Sequence, residues 1–268
     1  MNIEDLYSLY TKNYLVDTDT RTIRSTSIFF ALKGDNFNGN LFAKKALELG
    51  ASYCVIDEAE YEIKGATILV NNVLETLQSL ATYHRQKLGI PIIGITGSNG
   101  KTTTKELILA VLKTQFKAAA TQGNLNNHIG VPLTLLSFTN ETEIGIVEMG
   151  SNHQKEIEFL ATICEPDLGY ITNFGKAHLE GFGGEEGIIK GKSELYTYLR
   201  EHHKTVLINP EDPIQLKLTS SLNRIVLNNE ISIQSTQPYL MVHYNNQEIK
   251  TQLVGAYNET NIKAAISI

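Results

Sequence analysis

The sequence predicts an α/β protein built as two successive units, the second around a mainly parallel sheet. Three observations carry this. Short apolar runs alternate with helical patterns along most of the 268 residues. A long helical pattern divides the chain near residue 85. Three of the strand-like runs beyond it lead straight into segments rich in glycine and polar residues, as parallel strands do at their carboxyl ends.

In the first unit, residues 27–32 (Ser-Ile-Phe-Phe-Ala-Leu) read as a strand. Residues 39–50 read as a helix closed by Gly50. Tyr53–Ile56 and Thr67–Val70 read as short buried strands. Leu74, Leu77, Leu80 and Ala81 recur at helical spacing and mark a connecting helix to about Leu88, stopped by Gly89 and Pro91. The predicted units are therefore 1–85 and 86–268. In the second, strands are expected at 92–95, 144–148, 168–172 and 205–208, with helices at 102–115, 153–163 and 185–200. Tyr239–Tyr244 and Glu248–Val254 flank Asn245-Asn246, which predicts a hairpin. A last helix begins near Asn258 and is still running at Ile268.

Composition narrows the function classes. With 42% hydrophobic and 19% charged residues, the chain reads as soluble and globular. A net charge of -6 argues against broad electrostatic binding of nucleic acid, and no nucleic-acid partner is expected. Cys54 and Cys164 each sit in an apolar run, so two buried, reduced thiols in a cytoplasmic protein are expected. The start, Met1-Asn2-Ile3-Glu4-Asp5, does not read as a secretory signal, and no apolar run is long enough to span a membrane. There is no internal repeat and no low-complexity tract.

Four segments carry chemistry. Gly94-Ile95-Thr96-Gly97-Ser98-Asn99-Gly100-Lys101-Thr102-Thr103 follows a strand and precedes a helix. Glycines let several backbone N–H groups converge on phosphate oxygens, and the helix adds the positive end of its dipole. Lys101 would reach the β- and γ-phosphates of ATP; Thr102 or Thr103 would offer a hydroxyl to Mg²⁺. The spacing departs from the common phosphate loop: Ile95 stands five before Gly100, where glycine is usual. A plain glycine turn is the bland alternative. The second segment, Ile146-Val147-Glu148-Met149-Gly150, ends a strand on a carboxylate, which suits a hard cation. The alternative is a solvated strand-end glutamate.

The third segment, Ile171–Gly184, follows a buried strand, is too glycine-rich for a helix and carries Asn173, His178 and Glu180. His178 could ligate a metal, orient substrate or be structural. The fourth, Lys190-Gly191-Lys192-Ser193-Glu194-Leu195-Tyr196, lies on a predicted helix, and periodicity leaves open a simple exposed lysine face.

Together, Thr96–Thr103, Gly123-Asn124-Leu125-Asn126-Asn127-His128-Ile129-Gly130-Val131-Pro132-Leu133-Thr134, Glu148-Met149-Gly150 and Ile171–Phe182 closely resemble the Mur ligases, the ATP-dependent amide-bond ligases of bacterial peptidoglycan synthesis. Asn124–Asn127 running into Ile129–Thr134 most resembles the branch that joins D-alanyl-D-alanine to UDP-N-acetylmuramoyl-tripeptide. Phe29-Phe30-Ala31-Leu32-Lys33-Gly34 with Asn36-Phe37-Asn38-Gly39 fits as well. The resemblance implies a small UDP-substrate domain, 1–85, and a central ATPase domain, 86–268, incomplete at its end and without the family's third domain. It implies nucleotide binding with little or no ligation by this chain alone.

The resemblance also assigns roles. The phosphate grip would be Gly97, Ser98, Asn99, Gly100, Lys101, Thr102 and Thr103. Thr102 and Glu148 would hold one Mg²⁺ and His178 a second. Lys192 would react with CO₂ to become a carbamate that supports a metal site. Asn258 would lie near the adenine, although Tyr257 stands where the family usually has histidine. Asp19, Thr20 and Arg21, with Lys33, Asn36 and Asn38, would hold the UDP end; Thr20 replaces a usual serine. The implied reaction passes through an acyl phosphate, which the amine of D-alanyl-D-alanine attacks. A monomer is expected. The competing readings are a sibling ligase with another amine acceptor, such as folylpolyglutamate synthase, and a non-catalytic nucleotide-binding module.

Overall fold

The structure, a computed structural model, describes residues 2–175 and 179–268. It divides into two compact units: 1–89 together with 128–141, and 90–127 together with 142–268. The connecting helix predicted from its leucines thus lies whole within the first unit. The segment 128–141 packs there too, although it is inserted between two strands of the second unit.

The first unit holds a four-stranded parallel sheet in the order Val16–Asp17, Ile28–Phe30, Tyr53–Ile56, Thr67–Leu69. Its strands are short and apolar because a parallel sheet is covered on both faces. Phe29, Ala31, Cys54 and Ile56 pack with Ala43 and Ala46 in one core cluster. Helix Val73–Leu88 buries Val73, Leu77, Leu80, Ala81 and His84, one apolar stripe at helical spacing. The Asn72 side chain accepts from Glu75 N at its start, and left-handed Gly89 closes it. Val131, Leu135, Leu136 and Phe138 are buried, which accounts for the inserted segment packing here. Tyr10 Oη donates to Leu136 O at 2.8 Å, and His84 Nε2 donates to Phe138 O at 2.9 Å.

The second unit is built on a six-stranded, all-parallel sheet. Its order is Asn223–Val226, Thr205–Ile208, Leu168–Ile171, Ile92–Thr96, Ile144–Glu148, Ala118–Ala120. Ile92–Thr96 is wholly buried at the centre. Register sets Ile95 beside Glu148 and Thr96 beside Ile171. Three chemistry-bearing segments therefore leave the sheet side by side at its carboxyl edge. A three-stranded antiparallel sheet follows, Ser232–Ser235, Met241–Tyr244 and Gln247–Lys250, and then helix Asn258–Ser267, which packs on helix Lys101–Leu112.

Several sequence expectations shift. Residues 39–42 form a 3₁₀ turn and the α-helix covers only Ala43–Glu48, because the Asn38 side chain caps the turn through Asn40 N. The helices expected at 102–115 and 153–163 run Lys101–Leu112 and Glu156–Cys164. The helix expected at 185–200 is two helices, Glu185–Lys192 and Glu194–Glu201, separated at Ser193. The segment read as too glycine-rich for a helix contains a helical turn, Leu179–Phe182. The hairpin forms between Met241–Tyr244 and Gln247–Lys250, its corner made by Asn245 and Asn246 at φ 49 and 60. Both cysteines are buried, and burial pushes the Cys54 thiol up to about 12. Among the described residues no helix is long and apolar enough to cross a membrane.

Candidate active site

The loop after the central strand takes its shape from two glycines. Gly97 has φ +139, and a side chain there would run into the Thr172 hydroxyl. Gly100 has φ +78 and opens helix Lys101–Leu112 as its N-cap. The third segment is stapled to this loop. Ser98 N donates to Asn173 O at 3.1 Å, Asn99 N to Asn173 Oδ1 at 3.2 Å, and Thr172 Oγ1 to Asn99 O at 2.6 Å. Ser98 Oγ donates to Gly175 O at 2.7 Å.

Lys101 curls back over the loop: Nζ donates to Gly97 O at 2.8 Å and Ser98 O at 3.3 Å. Burial pulls its pKa below the usual lysine value, while the Glu148 carboxylate acts in the other direction. Thr102 Oγ1 donates to Glu148 Oε2 at 2.9 Å. The other carboxylate oxygen, Oε1, accepts from Asn126 Nδ2 at 2.8 Å, and Glu148 is only 1% exposed. Glu148 N donates to Thr121 Oγ1 at 2.9 Å. A carboxylate and a hydroxyl side by side at a phosphate-type loop form a hard-oxygen set. That suits Mg²⁺, which takes one or two carboxylates and completes its shell with phosphate oxygens and water.

Lys192 is 2% exposed, not an exposed lysine face. Its Nζ donates to Ser151 Oγ at 2.6 Å and Ser151 O at 3.3 Å, and lies 5.1 Å from the centre of the Phe182 ring. Burial, and after it the positive charge of Lys101, pull its pKa down to about 8. Asn258 is buried: its Nδ2 donates to Val254 O at 2.9 Å and its Oδ1 accepts from Asn261 Nδ2 at 2.8 Å. Asn261 Oδ1 in turn accepts from Thr104 Oγ1 at 3.0 Å, linking this helix to the one that carries Lys101. Tyr257 is 76% exposed. His178 lies outside the described residues.

The second unit therefore brings together Gly97–Thr103, Glu148 and Lys192, with Asn258 joined to the loop helix through Asn261. Lys105, Thr121, Asn126, Ser151 and Asn261 were not singled out as site residues from the sequence. Asn261 stands one helical turn beyond Asn258 and Asn126 lies inside the Asn-rich run, so both left a signal. Lys105, Thr121 and Ser151 act through contacts that no spacing reveals.

In the first unit, Asp19, Thr20 and Arg21 line a cavity of about 470 Å³ with Thr18, Phe29, Phe37 and Phe42. Phe37 and Phe42 stack at 5.4 Å. Arg21 Nη2 lies 2.6 Å from Asp19 Oδ2, and this bond holds the Asp19 carboxyl down at about 2. Lys33, Asn36 and Asn38 belong to an adjoining two-stranded turn, Lys33–Gly34 with Phe37–Asn38. There Lys33 pairs with Asp57 at 3.0 Å and Asn38 Nδ2 donates to Glu58 Oε2 at 2.8 Å.

Comparison with known proteins agrees with this geometry. The description "Mur ligase middle domain" matches residues 95–268, and "Mur ligase family, catalytic domain" matches residues 13–88. The chain is 42% identical over 202 residues to the UDP-N-acetylmuramoyl-tripeptide--D-alanyl-D-alanine ligase of Bacillus subtilis, an alignment that covers 75% of this chain and 44% of the relative. Its fold matches the crystal structure of MurF from Acinetobacter baumannii with a TM-score of 0.80 at 28% identity, covering 94% of this chain and 58% of that one. It also matches MurF ligase from Thermotoga maritima, solved in complex with ADP, with a TM-score of 0.78 at 26% identity, over 94% of this chain and 61% of the other. The chain thus spans roughly half the length of the proteins it resembles. With one family description covering well over half of the residues, and the loop, strand-end glutamate and buried lysine all inside it, the chain belongs to the Mur ligase family.

Proposed function

We propose that this protein serves an ATP-dependent amide-bond ligase of the cytoplasm that joins D-alanyl-D-alanine to UDP-N-acetylmuramoyl-tripeptide through an acyl phosphate. The observation that carries the reading is the Thr102–Glu148 pair, 2.9 Å apart at the first turn of the loop helix. The likeness to a D-alanyl-D-alanine ligase of Bacillus subtilis supports the choice of substrates.

The chemistry follows from electrostatics. A carboxylate is a poor nucleophile, and anionic phosphates repel it, so positive charge must gather where they meet. Mg²⁺ held by Thr102 and Glu148 would neutralise the transferring phosphoryl group. The backbone N–H groups of Gly97–Lys101 would cradle the phosphates, and Lys101 would swing from the loop carbonyls to the β/γ oxygens. Asn258 would stand near the adenine. Lys192, with a pKa near 8, keeps a share of neutral amine that can attack CO₂ and lose a proton, giving an anionic carbamate suited to a cation. His178 is proposed as a further metal ligand. In the first unit, the aromatic cavity beside Asp19, Thr20 and Arg21 would receive the UDP end, with Lys33, Asn36 and Asn38 at its margin.

Titration of the chain with UDP-N-acetylmuramoyl-tripeptide tests the reading. Saturable binding competed by UDP supports it; absence of binding favours a bare nucleotide-binding module. In the whole protein, phosphate release that requires D-alanyl-D-alanine supports the reading, and release driven by a single amino acid instead contradicts it.

A further inference from the structure

Lys105 is among the largest side chains that the fold encloses completely, with 0% exposure, yet it is a lysine one helical turn after Lys101. A buried ammonium is costly unless its protons find partners. Its Nζ donates to Thr121 O at 2.6 Å and lies 2.9 Å from Glu106 Oε1. Thr121 directly follows strand Ala118–Ala120, and its own N–H donates to Ile146 O at 3.0 Å on the neighbouring strand. Its hydroxyl accepts the Glu148 N–H at 2.9 Å. The contacts close a ring: Thr102 to Glu148, Glu148 to Thr121, Thr121 to Lys105, and Lys105 back along the helix to Thr102. Thr102 and Glu148 carry the oxygens that suit Mg²⁺; Thr121 bonds the Glu148 backbone N–H, and Lys105 bonds Thr121 O.

We infer that Lys105 and Thr121 are positioning residues that set the spacing between the Thr102 hydroxyl and the Glu148 carboxylate, and so tune divalent-cation binding at the loop. The inference rests on the proposed assignment of those two oxygens to Mg²⁺. Lys105 ties the loop helix to the sheet at the point where Thr121 fixes the backbone of Glu148. Without that tie the helix and the strand end keep their folds but lose their common reference. Partners one step removed from a metal ligand commonly change metal affinity by about 10–100-fold.

The test measures fluorescent ATP-analogue binding to the chain, first in EDTA and then across a Mg²⁺ titration, for the parent, Thr121→Val, Thr121→Ser and Lys105→Met. Valine keeps the shape of threonine and removes the hydroxyl; serine restores it; methionine keeps most of the lysine stem. Expected is a rise of about tenfold in the Mg²⁺ concentration at half-saturation for Thr121→Val and Lys105→Met. Affinity in EDTA should stay at the parent value, and Thr121→Ser should return the midpoint to the parent's. A general structural role would lower binding in EDTA equally, and that result overturns the inference, as does an unchanged midpoint in both Thr121→Val and Lys105→Met. If the parent itself binds equally with and without Mg²⁺, the assignment of Thr102 and Glu148 falls first and the inference falls with it.

Discussion

Lys192 donates to the Ser151 hydroxyl at 2.6 Å while lying over the Phe182 ring, an ammonium enclosed by neutral partners. Its folded pKa, about 8, is below the usual lysine value of 10.5, because burial penalises the charged form. Lys192→Met should therefore raise the unfolding free energy by about 1–3 kcal/mol near neutral pH. The unfolded chain binds more protons than the folded one between about pH 8 and 10.5, so the penalty on the parent fades as pH rises through that window. Urea titrations at pH 7 and pH 10 should show the gain shrinking; a gain that is equal at both would mean that charge is not its source.

Gly97→Ala should abolish ATP binding and cost about 1–3 kcal/mol of stability. The residue sits at φ +139, and the added methyl would collide with the Thr172 hydroxyl, which donates to Asn99 O. Thermal unfolding and nucleotide titration check both parts. Normal ATP affinity in the variant would show that the loop does not need this close approach.

Asn261→Ala should destabilise the second unit by about 1–3 kcal/mol, because Thr104 Oγ1 and Asn258 Oδ1 both lose a buried partner. Nucleotide affinity should fall as well, since Asn258 is then no longer tied to the loop helix. Calorimetry on the variant measures the two effects; a stability loss with unchanged affinity would detach Asn258 from nucleotide binding.

His84 predicts an acid sensitivity. Burial pulls its pKa below the usual histidine value, opposed by its bond to Phe138 O. Above the unfolded value of about 6.5 the neutral ring costs nothing. As pH falls below it, the unfolded chain takes up the proton first, and stability drops until the folded pKa is reached. His84→Phe should lack this component, so the stability gap between parent and variant should narrow between pH 6.5 and 5. A constant gap would contradict the assignment.

Much of this was legible in the sequence because it depends on local pattern. Gly97, Gly100, Lys101 and Thr102 lie within one loop, and Glu148 ends an apolar run, so the residues sit where their own neighbours announce them. The leucines of Val73–Leu88 marked a helix by spacing alone. What escaped depends on contacts between distant segments. The packing of 128–141 with the first unit follows from burial of Val131, Leu135 and Phe138, which no local pattern assigns to one unit or the other. Lys192 lies in a lysine-rich stretch that periodicity could as well expose, and only the fold reveals its burial. The break at Ser193 has no glycine or proline at the break itself: the nearest glycine, Gly191, lies inside the first helix.

The central claim is that the Gly97–Thr103 loop and Glu148 together grip Mg-ATP. Calorimetric titration of ATP, in EDTA and in excess Mg²⁺, into the parent chain, Lys101→Ala and Glu148→Gln tests it most directly. The account predicts saturable one-to-one binding by the parent, a large loss for Lys101→Ala with or without Mg²⁺, and for Glu148→Gln a loss confined to the Mg²⁺-dependent part. No binding by the folded parent, or full binding by both variants, would contradict it.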